Sequence, residues 1–444
     1  MSSPFISAFK TPDLRKKLLF TVAMVAVYRL GATMPSPGVS YTNVQKCIER
    51  VHASDTTGVF MLLDLFSGGA LLQLSVFALG IMPYITASII LQLLTVVIPR
   101  LEQLRKEGQA GQAKITQYTR YLTLGLAILQ SSAFVALARS GQLFNNQCPE
   151  YPIVPSTSLP MWVTVGALVV TMTAGTGVVM WLGELITDRG IGNGMSVLIF
   201  TSIAARLPAE GRQIWQNSPY KFFAVLAIGV IVIAFVVFLE QAQRRVPVQY
   251  AKRMIGRRMY GGTSTYIPLK VNQAGVIPVI FASSLLYLPQ LIIQLMGEKA
   301  TNNSVLVWID RHFVQQGAMN GPYYVGTYFL LIIFFTYFYV SITFNPTEVA
   351  DNMKKYGGFV PGIRPGKPTA EYLDFILSRI TLPGAIYLGI IAVLPNLFIG
   401  FVGGNLQNFP FGGTAVLIMV GVGLETVKQI ESQLMQRNYE GFLR

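Results

Sequence analysis

The chain has 444 residues, of which 52% are hydrophobic and 12% charged, with a formal net charge of +14. Soluble domains carry about 25% charged residues, so this composition excludes an ordinary soluble enzyme or binding module. Hydrocarbon admits only helices and closed barrels, and the apolar runs are too continuous for the alternating strands of a barrel. We therefore predict an all-α polytopic membrane protein.

Hydropathy along the chain predicts ten membrane-spanning helices. They cover residues 17–33, 72–98, 120–138, 161–183, 191–206, 222–239, 274–296, 322–344, 376–399 and 411–427. The fifth is short, and Pro383 and Pro395 are expected to break the ninth. No cleavable signal peptide precedes the first, which we expect to remain in the membrane.

The second span begins in an interrupted stretch, Asp64–Tyr84, with the sequence DLFSGGALLQLSVFALGIMPY. A regular span needs about 20 unbroken apolar residues. This stretch contains an acid, a Ser-Gly-Gly triplet and a Gly-Ile-Met-Pro break. We predict that its first part does not span, that the membrane helix begins near Leu74, and that Pro83 loosens that helix.

Lysine and arginine are distributed unequally between the two sides of this topology. Most lie in the even-numbered loops and at both termini, whereas the opposite side holds few, among them Lys46, Arg212 and Arg311. The positive-inside rule then places both termini in the cytoplasm. Five spans on each side of an outer loop near 207–220 predict two halves, 1–206 and 207–444, with inverted orientation.

The interiors of the predicted spans are almost free of ionisable residues. Arg29 is the exception, and it can either snorkel to the outer surface or pair structurally. Ion-coupled carriers need intramembrane ionisable groups, and enzymes need acids, bases or metal ligands. We therefore predict no enzyme activity, no metal and no cofactor. The glycine-rich RGIGNG at Arg189–Gly194 lacks the lysine of a phosphate-binding loop and is interpreted as a turn.

Both cysteines, Cys47 and Cys148, fall in predicted outer loops. A disulfide is permitted outside the cytoplasm, and it would tie the first and second outer loops together. Two unrelated thiols are an equally good interpretation.

Two predicted cytoplasmic loops, at about 240–272 and 345–375, are long and basic. In the first, Val246, Val248 and Tyr250 alternate with polar residues, which predicts a β-hairpin. The second contains a short helix-like stretch and then a Pro/Gly-rich turn presenting Arg364. Such charge binds anionic lipid, RNA phosphate or acidic protein. Anchoring of the topology alone would explain the sign of the charge but not the length of the loops.

Several long stretches resemble the bacterial SecY family, the central channel subunit of the Sec protein translocase. They are LFSGGALLQLSVFALGIMPYITASIILQLLTVV, KEGQAGQAKITQYTRY, GELITDRGIGNGMS, YAKRMIGRRMYGGTSTYIPLKVNQAGVIPVIFASS and FNPTEVADNMKKYGGFVPGIRPG. The resemblance extends from the first span to the last. It implies ten spans in two inverted halves around an hourglass pore.

The resemblance also implies a function, in which unfolded secretory polypeptides cross the bacterial plasma (inner) membrane and hydrophobic segments leave sideways. The implied partners are SecE, SecG, the ATPase SecA, the ribosome and the secretory and membrane polypeptides. Anionic membrane lipids are further partners of the basic loops. The alternative is a solute or lipid-linked carrier of similar architecture. The uncharged spans and the long basic loops favour the channel over this alternative.

Residue roles follow from the same resemblance. The plug would comprise a short segment at about 60–72, with Asp64, Leu65, Phe66, Ser67, Gly68 and Gly69. The pore ring would comprise Ile81, Ile85, Ile191, Met195, Ile280 and Ile418. The lateral gate would be lined by Thr86, Gln92, Ser283 and Ser284, and partner docking would involve Arg257, Arg258 and Arg364. Without the resemblance, the Ile pairs would be ordinary helix packing, and the gate residues routine interhelical hydrogen bonds.

Overall fold

The computed structural model describes residues 11–53, 67–139, 153–155, 160–217, 219–250, 253–255, 258–260, 264–296, 304–314, 321–402 and 413–442. Eight helices are described before the first long cytoplasmic loop. They are α1 (Pro12–Thr33), α2 (Tyr41–Ala53), α3 (Met82–Val97), α4 (Pro99–Lys106), α5 (Gln109–Arg139), α6 (Met161–Arg189), α7 (Gly194–Asn217) and α8 (Pro219–Gln241).

The second part of the chain begins with strands and continues with helices. The strands are β1 (Gln243–Tyr250), β2 (Arg253–Ile255), β3 (Arg258–Tyr260), β4 (Ser264–Lys270) and, later, β5 (Gly358–Phe359). The helices are α9 (Ile277–Met296), α10 (Ser304–Ile309) with a π-helical turn at Asp310–Val314, α11 (Pro322–Thr343), α12 (Pro346–Lys355), α13 (Lys367–Val402) and α14 (Gly413–Phe442).

Each of the ten predicted spans overlaps one of the long helices. Among the described residues, five helices are long and apolar enough to cross a membrane. A sixth is added if α3 and α4, which meet at a bend of 101°, form one broken span. Helix length and composition therefore identify five or six spans among the described residues, and the count of ten stays a prediction.

The outer surface of the helices is suited to lipid. Helix α8 is apolar on all sides, and Ile231 and Phe238 on it are 67% and 72% exposed. A helix that is apolar all round requires an apolar environment. All four tryptophans, Trp162, Trp181, Trp215 and Trp308, are also exposed, as is common for residues that face a bilayer or its interface.

Two predictions about the second span were wrong. The second span does not become helical near Leu74, because residues 68–81 form turns and an isolated bridge of Ser75 to Pro35, and α3 starts at Met82. Leu74 and Gly80 have φ of 48° and 55°, values that no α-helix contains. Pro83 therefore lies in the first turn of α3, where proline is well tolerated, and it does not loosen a helix interior.

The ninth predicted span is not broken by its prolines. Helix α13 runs from Lys367 to Val402 through both Pro383 and Pro395. Proline is tolerated inside membrane helices because neighbouring groups compensate for the missing backbone hydrogen bond. The fifth span is also longer than predicted, since α7 continues past residue 206 to Asn217.

The buried residues form separate cores. One cluster comes entirely from the first part of the chain, including Leu74, Phe134 and Leu168. A second comes entirely from the later part, including Val236 and Leu388. A third, central cluster takes residues from both parts, among them Tyr28, Ile81, Ile280 and Ile418. The two parts of the chain therefore meet at an apolar centre.

The long basic loops form a small folded unit. Strand β1 pairs antiparallel with β4 from Gln243↔Lys270 to Gln249↔Ser264, which confirms the predicted hairpin. The short helix predicted in the second loop is α12, and β5 after it pairs with the end of β1. Val246, Val248, Met353 and Val360 are buried together, so the two loops share one apolar core.

Candidate channel constriction and docking surfaces

Five of the six predicted ring residues belong to the central cluster: Ile81, Ile85, Met195, Ile280 and Ile418. We call these five the constriction ring. They come from the start of α3, the start of α7, the first turn of α9 and the first part of α14. Ile81, Ile280 and Ile418 are at most 7% exposed, so the centre of the protein is closed and apolar in this structure.

The spacing argument for α3 agrees with the structure. The amide of Ile85 donates to the Ile81 carbonyl at 3.2 Å, which places both side chains on one turn. Ile81 itself is the N-cap residue of α3, immediately after the turns. Ile81 is therefore positioned by the end of the turns and the start of α3.

Ile191 lies elsewhere, and the structure does not bring it to the ring. It is 2% exposed but packs with Leu14 and Ile430 in a separate cluster. The predicted four-residue spacing with Met195 assumed a continuous helix. Gly192, with φ of 88°, interrupts the backbone there, and α7 begins only at Gly194.

Ile199 is a residue of the central cluster that the predicted ring did not include. It is 6% exposed and belongs to the central cluster. It follows Met195 by four residues inside α7, so the same helical spacing that linked Ile81 to Ile85 identifies it. The four-residue spacing was used to pair Met195 with Ile191, which precedes α7, instead of with Ile199, which lies within it.

The predicted plug is only partly within the described residues. Asp64, Leu65 and Phe66 lie outside them. Ser67 is helical and 2% exposed, and its Oγ accepts a hydrogen bond from the Leu71 amide at 3.0 Å. Gly68 and Gly69 follow with φ of 69° and 91°. This left-handed backbone requires glycine and ends the helix at Ser67.

The predicted gate residues make no hydrogen bond across the gate in the described part of the chain. Thr86 Oγ1 donates to the Met82 carbonyl at 2.9 Å, and Ser283 Oγ donates to the Ile280 carbonyl at 2.9 Å. Both bonds stay within their own helices, so neither hydroxyl makes the interhelical hydrogen bond of the alternative interpretation. Gln92 is exposed, and the side chain of Ser284 lies outside the described residues.

The predicted docking arginines differ in how far they can be described. Arg364 is exposed in the turn between β5 and α13, where Gly362 and Gly366 adopt φ of 83° and 102°. Its carbonyl accepts a hydrogen bond from Thr369 Oγ1 at 2.9 Å, which fixes the turn to α13. Arg258 begins β3, its side chain is outside the described residues, and Arg257 is outside them altogether.

The base of the hairpin is held by a buried polar contact. Asn272 is 4% exposed, and its Nδ2 donates to Glu240 Oε1 at 2.7 Å and to the Gly275 carbonyl at 3.2 Å. Nearby, the Val271 amide donates to the Ala242 carbonyl. These bonds fasten the hairpin to the ends of α8 and α9.

Cys47 is fully buried and disulfide-bonded in the structure. The only other cysteine of the chain, Cys148, lies outside the described residues. We expect Cys47 to resist thiol labelling until a reductant is added, and then to react together with Cys148. Mass spectrometry of alkylated protein measures this; two thiols that label without reductant would contradict the bond.

Among the described residues, no group of three His, Cys, Asp or Glu side chains is placed to hold a metal ion. The cross-helix ion pair found there joins Arg120 on α5 to Glu184 on α6 through two hydrogen bonds of 2.8 Å. This pair holds the two helices together and lies close enough to Tyr84, the residue before Ile85, to interact with its hydroxyl electrostatically.

Comparison with known proteins connects these features to a family. The SecY family model matches residues 75–427. Proteins named protein translocase subunit SecY from Streptomyces scabiei and Mycobacterium bovis are each 63% identical, and one from Streptomyces galbus is 64% identical. Each alignment covers all of both chains.

Solved structures share the fold at lower identity. A structure described as a protein conducting channel gives a TM-score of 0.63 at 17% identity, covering 94% of this chain and 92% of that one. Sec61 in the canine ribosome-channel complex gives 0.60 at 17% identity, covering the same 94% and 92%. At this identity the likeness concerns the fold alone.

Proposed function

Since the chain belongs to the SecY family, we propose that its constriction ring, extended by Ile199, is the closed seal of a protein-conducting channel. The single observation that carries this role is the central cluster, where buried aliphatic side chains from α3, α7, α9 and α14 converge. An aliphatic collar excludes water and ions by dewetting, and its flexible side chains can deform around a passing chain. Ile191 is not part of this seal.

The channel is passive in this proposal. Unfolded secretory polypeptides pass through the ring, and the energy comes from a partner, the ATPase SecA or a translating ribosome. The chain itself supplies the path and the seal and has no catalytic role. No observation on the described residues favours the solute or lipid-linked carrier.

Lateral release of hydrophobic segments would occur between α3 and α9. Thr86 and Ser283 bond within their own helices, so parting these helices breaks no interhelical hydrogen bond made by either hydroxyl. The two sides meet through apolar contacts such as those around Ile81 and Ile280. A hydrophobic segment can replace such contacts with contacts of the same kind.

The folded unit of the two basic loops is the proposed docking surface for SecA and the ribosome, with Arg364 presented at its turn. SecE and SecG complete the complex, and anionic lipid headgroups would neutralise the remaining basic residues. The membrane is the bacterial plasma membrane, with both termini in the cytoplasm. The halves 1–206 and 207–444 would move about the corner between α7 and α8.

A crosslinking experiment tests the assignment. We expect a stalled secretory chain to crosslink to a photoreactive residue placed at Ile81 or Ile280 in the assembled complex. The same residue at Ile231 or Ile390, which are 67% and 50% exposed on the outside of α8 and α13, serves as the control and should not crosslink. Equal yields at all four positions would sink the pore assignment.

A further inference from the structure

The guanidinium of Arg29 contacts the last described residues of the plug. Arg29 lies on α1, inside a predicted span, where a charged side chain is costly and usually functional. Its Nη1 donates to the carbonyl of Gly68 at 3.2 Å. The side chain is only partly exposed, so this bond is made in a shielded environment.

The acceptor belongs to the residue directly after the helical Ser67. Ser67 is helical, Gly68 has φ of 69°, and turns follow. The carbonyls at a helix C-terminus lack intrahelical partners and carry partial negative charge. The guanidinium supplies a hydrogen-bond donor to the Gly68 carbonyl at this point of the backbone.

The fit around Gly68 is tight on both sides. A Cβ at Gly68 would lie 3.0 Å from Arg29 Nη1 and 3.1 Å from Ser202 Cα. The chain therefore passes closely between α1 and α7, and a side chain at position 68 would have to displace Arg29 or the backbone at Ser202. Gly69 has φ of 91° but no atom within 4 Å of an added Cβ, so only one of the two glycines is clamped.

The walls of this clamp are joined to each other. Tyr28, next to Arg29, and Ser202 on α7 share a buried hydrogen bond of 2.7 Å between their hydroxyls. Both residues are fully buried. The bond holds α1 and α7 at the spacing that Gly68 fits.

We propose that Arg29 is a latch that holds the plug in the closed channel. The inference rests on the proposed function as a channel, and on the further proposal that the segment around 60–72 is its plug, as the family resemblance implies. While the plug is seated, the guanidinium is satisfied by the Gly68 carbonyl. When the plug leaves, this bond is lost and water must replace the carbonyl, so the latch adds to the free energy needed for opening. Arg29 is thus a positioning residue for gating.

The first test uses hydrogen exchange of residues 67–81 in the complete complex. Loss of a hydrogen bond to a charged donor corresponds to about a ten- to hundredfold change in an opening equilibrium. We expect Arg29→Gln to accelerate exchange in this segment by about tenfold or more, with α13 unchanged. Arg29→Lys, which keeps the charge, should restore part of the protection. Unchanged exchange in a folded Arg29→Gln complex overturns the latch.

A pair of glycine variants tests the contact with Arg29 still present. Gly68→Ala and Gly69→Ala both place alanine at positive φ and incur the same kind of backbone strain. Only the alanine at 68 pushes against Arg29 and Ser202. We expect faster exchange for Gly68→Ala than for Gly69→Ala; equal effects would overturn the proposal even if Arg29→Gln failed to assemble.

Ion conductance separates the latch from the seal. If Arg29→Gln accelerates exchange and also raises resting conductance in planar bilayers, both assignments are supported. Faster exchange with unchanged conductance would support the latch and show that the ring seals the channel without a seated plug.

Discussion

Replacing Ile81 and Ile280 together with glycine is expected to make the resting channel conduct ions. Both side chains are at least 93% buried in the central cluster, and burying an isoleucine contributes about 1.5–3 kcal/mol. Losing two lowers the stability of the closed, dry ring by about 3–6 kcal/mol. At 1.4 kcal/mol for each factor of ten, the hydrated state gains about a hundredfold or more in population.

The measurement is single-channel or macroscopic conductance of the purified complex in planar bilayers. Ile231→Gly combined with Ile390→Gly is the matched control, because it introduces two helix glycines on exposed faces of α8 and α13. If the control and the ring variant conduct equally, the seal lies elsewhere.

Two single-residue variants distinguish the ring proposed from the central cluster from the ring implied by the resemblance. We expect Ile199→Gly to raise conductance more than Ile191→Gly, since only Ile199 belongs to the central cluster. The opposite order would return Ile191 to the ring.

Reversing the charge of Arg364 is expected to weaken SecA docking strongly. Arg364 is exposed on a turn fixed by two glycines and by the bond from Thr369. Removing one member of an interfacial charge pair costs about 2 kcal/mol or more, which is about thirtyfold in affinity. Arg364→Glu should lower SecA affinity and SecA-driven translocation by at least about this factor.

Folding and SecE association should be unaffected, because the Arg364 side chain is outside the buried core of the loops. Arg311→Glu is the control, as Arg311 is also exposed but lies on a predicted outer loop. Normal SecA-dependent transport by Arg364→Glu would remove the docking role from this residue.

The sequence predicted features that depend on local composition. Long apolar runs located the helices, and alternation at Val246, Val248 and Tyr250 located the hairpin. The pair Ile81 and Ile85 was also correctly placed on one turn. These signals are local, because a helix face or strand face is repeated within a few residues.

The sequence was less informative where backbone conformation or distant pairing decides the outcome. The separation of Ile191 from Met195 depends on the left-handed Gly192 and on where α7 starts. The contact of Arg29 with Gly68 joins residues far apart in the chain and has no periodic signal. The sequence left two interpretations of Arg29, snorkelling or structural pairing, and only the fold distinguishes them.

The pairing of β5 with β1 has a consequence for how the cytoplasmic loops are dissected. Gln249↔Phe359 and Tyr250↔Gly358 bring together positions more than a hundred residues apart. A deletion or an inserted tag in either loop removes or displaces a strand of the same sheet and disturbs the same apolar core. A defect after shortening one loop therefore does not identify that loop as the binding epitope, and point substitutions that leave the strand backbone intact are the sound way to map it.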